Sequence, residues 1–216
     1  MSVYPEVLTL HLEDPLIFDR EDVEVWREMR QVNERRTRLL NSWAVLSKAS
    51  GSIFALWTLA LACKVTTLSV RLDDPSEAAL LPTLLGDTNP FRLDLYVTFN
   101  GGLRIGHLTS LLVGVTSVKR LQLSVRFNRH VVDSGPQILN GVLSMLGSSE
   151  ILTIDAVISA SVPQLAWPVE RSILDHLHET EDRLFVAQLV ARVPSLCAIS
   201  MNIGRKKRSH WTYHSA

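Results

Sequence analysis

The sequence predicts an α/β fold: a one-sided, mostly parallel, curved sheet of about six strands, with helices on its other face. Three observations predict it. A five-residue alternation, apolar-polar-apolar-polar-apolar, recurs six times in 216 residues. Between copies the apolar period lengthens from two residues to the ~3.6 of a helix. From Leu68 to Leu152 successive copies begin 25, 28 and 31 residues apart, the length of a crossover joining parallel neighbours.

The copies are Leu8-Thr9-Leu10-His11-Leu12, Leu68-Ser69-Val70-Arg71-Leu72, Leu93-Asp94-Leu95-Tyr96-Val97, Leu121-Gln122-Leu123-Ser124-Val125, Leu152-Thr153-Ile154-Asp155-Ala156 and Ile199-Ser200-Met201-Asn202-Ile203. All eighteen positions of one parity are apolar, and the twelve of the other are polar, counting Tyr96 for its hydroxyl. Side chains alternate faces along a strand, so each copy has one buried and one wet face. A sheet covered on both sides would read as continuous apolar runs, so the helices are expected on one face only.

After the first copy, a helix is expected over 19–40, with Asp19, Glu21, Asp22 and Glu24 in its acidic start, Arg35, Arg36 and Arg38 near its end, and Val23, Trp26, Met29 and Val32 as its apolar stripe. The run IFALWTLALAC over 53–63 reads as a buried helix; its eleven uncharged residues fall short of the ~20 that span a membrane. Asp74-Pro75-Ser76-Glu77 is a helix start in which Asp74 caps, Pro75 takes the first helical position and Glu77 bonds back. Ala79, Leu80, Leu81, Leu84 and Leu85 form the face of that helix and Gly86 ends it. A helix over 104–115 carries Ile105, Leu108, Leu111, Leu112 and Val115. Ser134-Gly135-Pro136-Gln137 opens another, with Ile138, Val142, Leu143 and Leu146 inside and Gly147 at its end. The last two are expected over 168–177 and over 182–193, the latter packing Leu184, Phe185, Leu189 and Val190 and stopping before Pro194. The chain therefore divides into one strand-helix repeat domain, 1–204, and a basic C-terminal tail, 205–216.

Lys plus Arg and Asp plus Glu both number 22, so no global charge draws the chain to nucleic acid or to an anionic membrane. The two cysteines, Cys63 and Cys197, make no metal-binding or redox pair and read as reduced, buried thiols. The opening Met1-Ser2-Val3-Tyr4-Pro5-Glu6 lacks the pattern of a signal peptide. An intracellular location, cytoplasmic or nuclear, is expected.

Val118-x-x-Leu121-x-Leu123 and Leu196-x-x-Ile199-x-Met201 resemble the LxxLxL core of leucine-rich repeats, in degenerate form. Where that family keeps an asparagine or cysteine, this chain has Glu13, Asp73, Thr98, Arg126, Val157 and Gly204, so the asparagine ladder is missing. With the run Ala191-x-Val193-Pro194-Ser195-Leu196 leading into the last strand, the chain resembles the C-terminal regions of basidiomycete F-box-type proteins. That resemblance implies substrate recognition for a ubiquitin ligase. Tyr4-Pro5-Glu6-Val7-Leu8 echoes the opening of an F-box, but the pattern is not sustained.

No nucleophile elbow, phosphate-binding loop, dinucleotide fingerprint or zinc-protease motif occurs. Asn100-Gly101-Gly102 reads as a strand-to-helix turn. His176 and His178 stand two apart, so on a helix they diverge by about 200° and read as a solvated end rather than a metal site. Arg205-Lys206-Lys207-Arg208 reads as a solvated tail, with a nuclear signal as the other reading. The expected function is a non-catalytic protein-interaction scaffold, with no cofactor, metal, small molecule or membrane implied. Its partner, a protein, would meet His11, Arg71, Asp94, Tyr96, Gln122, Asp155 and Asn202 on the wet sheet face. The alternatives are an inactive or structural paralogue and, behind it, an enzyme without a recognised motif.

Overall fold

The computed structural model describes residues 9–12, 23–40, 45–99, 102–127, 135–147, 149–160, 182–203 and 209–213. They form an α/β protein with one eight-stranded sheet and five α-helices. The elements are β1 Thr9–Leu12, α1 Val23–Leu40, β2 Val45–Ser52, α2 Ile53–Leu59, β3 Lys64–Leu72, α3 Pro75–Thr88 and β4 Arg92–Phe99. A short 3₁₀ turn, Ile105–His107, follows, and then β5 Arg120–Phe127, α4 Gly135–Leu146, β6 Thr153–Ala160, α5 Asp182–Arg192, β7 Ala198–Ile203 and β8 Ser209–Thr212. The strands lie side by side in chain order. β1 to β7 are parallel and β8 returns antiparallel to β7. No helix among the described residues is long and apolar enough to cross a membrane.

Alternation explains the core. Leu68, Val70 and Leu72, Leu93, Leu95 and Val97, and Leu121, Leu123 and Val125 are all buried, and join one cluster with Leu81, Leu84 and Leu85 of α3, Val142 and Leu143 of α4, and Leu189 of α5. Phe99 and Phe127, paired across β4 and β5, stack with centroids 5.4 Å apart at the far end of the same face. Thus α2, α3, α4 and α5 share one core with one side of the sheet.

Two strands exceed the six expected. β2 puts only Leu46, Ala49 and Gly51 toward the core side, too little apolar bulk to read as a strand. The small residue at Gly51 is needed, because a Cβ there would come within 2.6 Å of the Leu12 carbonyl oxygen. β8 lies within the segment expected as a tail; its Trp211 pairs with Ile199 and packs against the core. Register corrects the fifth copy of the alternation: Leu121 pairs with Ile154, not Leu152. Leu152 precedes the strand and is exposed.

The helices depart from expectation where a neighbour outweighs local pattern. Asp74 caps α3 by accepting from Ser76 N at 2.8 Å, and Glu77 accepts from Asp73 N, one residue upstream of the bond expected. Gly86 does not end α3. The helix runs on to Thr88 and closes at Asn89, whose left-handed backbone (φ 41°) lets its N–H reach Leu85 O. Its inward face includes Ala78, while Ala79 is exposed. α2 ends early at Ala60, which is also left-handed (φ 54°), so residues 61–63 lie outside the helix.

Over 104–115 there is no α-helix but a run of i to i+3 bonds, including Leu111 N to Leu108 O and Val115 N to Leu112 O. Two glycines, Gly106 and Gly114, with Thr109 and Ser110 between them, weaken a helix there. Leu108, Leu111 and Leu112 are nonetheless buried as the pattern predicted. In α5, Val186 takes the buried place expected of Leu184, which is 61% exposed.

α1 lies outside the main core, on α2 and α3. Trp26 meets Phe54 edge to face at 4.5 Å, in a second cluster with Trp57. Met29 and Val32 are exposed, because the side of α1 turned inward carries Trp26 and Arg30, with Asn33 partly buried beside them. Asn33 donates to Thr58 O at 2.9 Å and Arg30 donates to Trp57 O, so α1 satisfies carbonyls at the end of α2. The expected helix over 168–177, residues 19–22, Leu8, the Asn100-Gly101 pair, Ser134, His176 and His178, and the 205–208 basic run all lie outside the described residues.

Candidate functional site

The side of the sheet away from the core is ordered into rows by the strand register. One row runs across all eight strands: His11, Ser50, Ser69, Asp94, Gln122, Asp155, Ser200 and His210. Toward the strand ends, the next row holds Ser52, Arg71, Tyr96, Ser124, Val157 and Asn202. Toward the strand starts, a third holds Thr9, Lys48, Thr67, Arg92, Arg120, Thr153, Ala198 and Thr212.

All seven residues expected on the wet face fall in the first two rows, but their surroundings differ. His11 is exposed at the β1 edge, with Nδ1 2.8 Å from Ser50 Oγ. Arg71 is exposed, 3.8 Å from Asp73. Tyr96 is 40% exposed. Gln122, Asp155 and Asn202 are half-buried. Asn202 Oδ1 is itself buried and makes no hydrogen bond among the described residues.

Asp94 is not a wet position: it is only 7% exposed. Arg92, two residues before it on the same side of β4, donates from Nε to Asp94 Oδ1 at 2.7 Å and from its Nη2 to Gln122 Oε1 at 2.6 Å. Those three side chains form one bridged unit over β4 and β5. Asp94 therefore orients Arg92, and Arg92 is the charge the unit presents to solvent.

Most of the third row falls outside the five-residue copies: Thr67, Arg92, Arg120 and Ala198 each stand one step upstream of a copy, and Lys48 and Thr212 belong to none. The signal was present: Arg92 directly precedes Leu93 and Arg120 directly precedes Leu121, extending the alternation by one polar position. Arg120 is exposed and its guanidinium sits 5.6 Å from the centre of the Phe91 ring. An open groove of about 270 Å³ crosses β4 to β8 on this face, with Arg92, Arg120, Gln122, Asp155, Ser200 and His210 among its walls.

Neither thiol stands in these three rows. Burial pushes the Cys63 thiol above its ordinary range. Cys197, partly exposed rather than buried as expected, turns its Sγ toward Ser195 O at 3.5 Å. Among the described residues no group of three or more His, Cys, Asp or Glu is placed to hold a metal ion. Compared with protein-family models, curated proteins and solved structures, the chain matches none.

Proposed function

We propose that this chain is a non-catalytic protein-interaction scaffold of leucine-rich-repeat type, binding its partner through the side of the sheet that turns away from the core. The observation that carries the reading is the pair of cross-strand rows holding His11, Gln122 and Asp155, and Arg71, Tyr96 and Asn202. Mixed charge around an exposed aromatic suits a protein surface. The strictly sequential strand order supports the repeat reading, since in repeat architectures each unit contacts only its chain neighbours and presents an extended face. Within this reading, substrate recognition for a ubiquitin ligase is the role implied by the resemblance to F-box-type proteins.

The test is quantitative capture by the immobilised full chain against an Arg71→Glu/Tyr96→Ala variant of unchanged melting temperature. Both side chains are exposed, so the change spares the core. A specific partner is expected to be lost from the variant, because an unpaired charge at an interface costs several kcal/mol. Equal capture by both proteins would sink the reading. Recovery of ligase adaptor subunits with the wild-type chain would place the scaffold in a ubiquitin-ligase setting.

A further inference from the structure

The exposed sheet face carries a charge the whole chain does not. Among the described residues, the cross-strand rows from the Lys48–Thr67 pair onward on this face hold five basic side chains, Lys48, Arg71, Arg92, Arg120 and Arg126, and two acidic ones, Asp94 and Asp155. Among the described residues these strand positions thus carry an excess of three positive charges, in a chain whose formal net charge is zero.

The distribution within the face is also uneven. The row nearest the strand starts holds Lys48, Arg92 and Arg120 and no carboxylate, its other members being threonines and one alanine. Lys48, Arg120 and Arg126 are exposed and make no ion pair among the described residues. Two of the three cations in the row are held in place, Arg92 by Asp94 and Gln122, and Arg120 by the Phe91 ring. Neighbouring strands are ~4.8 Å apart, so β2 to β5 span roughly 14 Å, the reach of about four extended residues.

We propose that this row, Lys48, Arg92 and Arg120, binds an acidic, extended segment of a protein partner laid across the strands, with the groove toward His210 taking the segment's continuation. The inference rests on the scaffold reading and names the chemistry of its partner. The Arg120 guanidinium offers a planar fork that matches a carboxylate, while Arg92, with Nε and Nη2 bonded to Asp94 and Gln122, adds a fixed cation beside it. The Thr67 hydroxyl supplies a neutral hydrogen-bonding group between Lys48 and Arg92, and Thr153 and Thr212 supply others beyond Arg120. A peptide with spaced carboxylates fits better than nucleic acid, because Asp94 and Asp155 stand in the next row and would oppose a continuous line of phosphates.

The experiment is fluorescence anisotropy of the full-length chain with a labelled peptide of alternating glutamate and serine. A lysine-serine peptide of the same length and a single-stranded oligonucleotide serve as comparisons. Binding of the acidic peptide alone is expected, weakening as salt rises. The Lys48→Glu/Arg120→Glu variant is expected to lose about tenfold or more in affinity. If that variant melts lower than wild type, Lys48→Gln/Arg120→Gln reads the same contacts without reversing charge, and a comparable direction of loss is expected. Tighter binding of the oligonucleotide, or acidic-peptide binding that both variants leave unchanged, overturns the proposal. No binding of the acidic peptide also overturns it. The scaffold reading survives that last result if the Arg71→Glu/Tyr96→Ala change still abolishes capture of a partner, so the two failures are distinguishable.

Discussion

Arg30 places its guanidinium 4.8 Å from the centre of the Trp57 ring while donating to the carbonyl oxygen of the same residue. It is 9% exposed and reaches Asp87 of α3 at 2.6 Å and Glu34 of its own helix at 3.0 Å. One side chain of α1 thus ties together α2 and α3. Its positive charge sits where the C-terminal carbonyls of α2 favour a cation.

Replacing Arg30 with methionine keeps the apolar stem and removes every polar contact. Arg30→Met is expected to destabilise the chain by about 1.5–3 kcal/mol, the usual worth of hydrogen bonds to a charged group. Urea denaturation checks it. A loss below about 0.5 kcal/mol would mean that the Arg30 contacts do not hold α1 in place.

Gly141 in α4 faces the connection after β4: a Cβ there would come within 1.9 Å of Ile105 Cγ1. Alanine is the better helix former by about 1 kcal/mol, yet overpacking costs about 1–3 kcal/mol. Gly141→Ala is therefore expected to lower the melting temperature, and adding Ile105→Ala to restore part of it. A stabilised single variant would show that α4 does not rest on this turn.

β8 makes the C-terminal segment structural. Trp211→Ala removes the side chain that packs against the core from the edge strand, at an expected cost of about 2 kcal/mol, a fall of about 4–8 °C in melting temperature for a chain of this size. Truncation after Gly204 should cost at least as much, because it also strips β7 of its antiparallel partner. Calorimetry on both proteins decides the matter, and an unchanged midpoint would contradict the placement of β8.

The two sheet faces should respond unequally. Leu95 and Leu121 are buried in the core, and Leu95→Ala or Leu121→Ala is expected to cost about 2–5 kcal/mol. Gln122→Ala removes only an exposed hydrogen bond from Arg92, with an expected cost of about 1 kcal/mol or less. Equal losses in a denaturant titration would reverse the assignment of the faces.

The sequence by itself determined the class of the fold and most of its strands. A strand with one face buried must alternate, and that requirement is met in residue type from Leu68 onward in β3, throughout β4 and β5, and from Ile199 onward in β7, without knowledge of any partner. It likewise determined where α3 starts and where α4 ends, because caps and glycines act within a few residues of the turn they make. Only the tertiary structure decided the rest. β2 is a strand although its core side is Leu46, Ala49 and Gly51, because the strands on either side supply its hydrogen bonds and Leu12 leaves no room for a larger residue at Gly51. The face of α1 was set by the α2 carbonyls it had to satisfy, which turned Met29 and Val32 outward in favour of Arg30. Register decided which side chains share the outer face, since pairing Leu121 with Ile154 brings Asp155 beside Gln122 and pairing Leu93 with Leu121 aligns Arg92 with Arg120. Alternation within a strand says which face a side chain takes. Which side chains stand next to each other across strands depends on hydrogen bonds between segments far apart in the chain, and no local pattern encodes those.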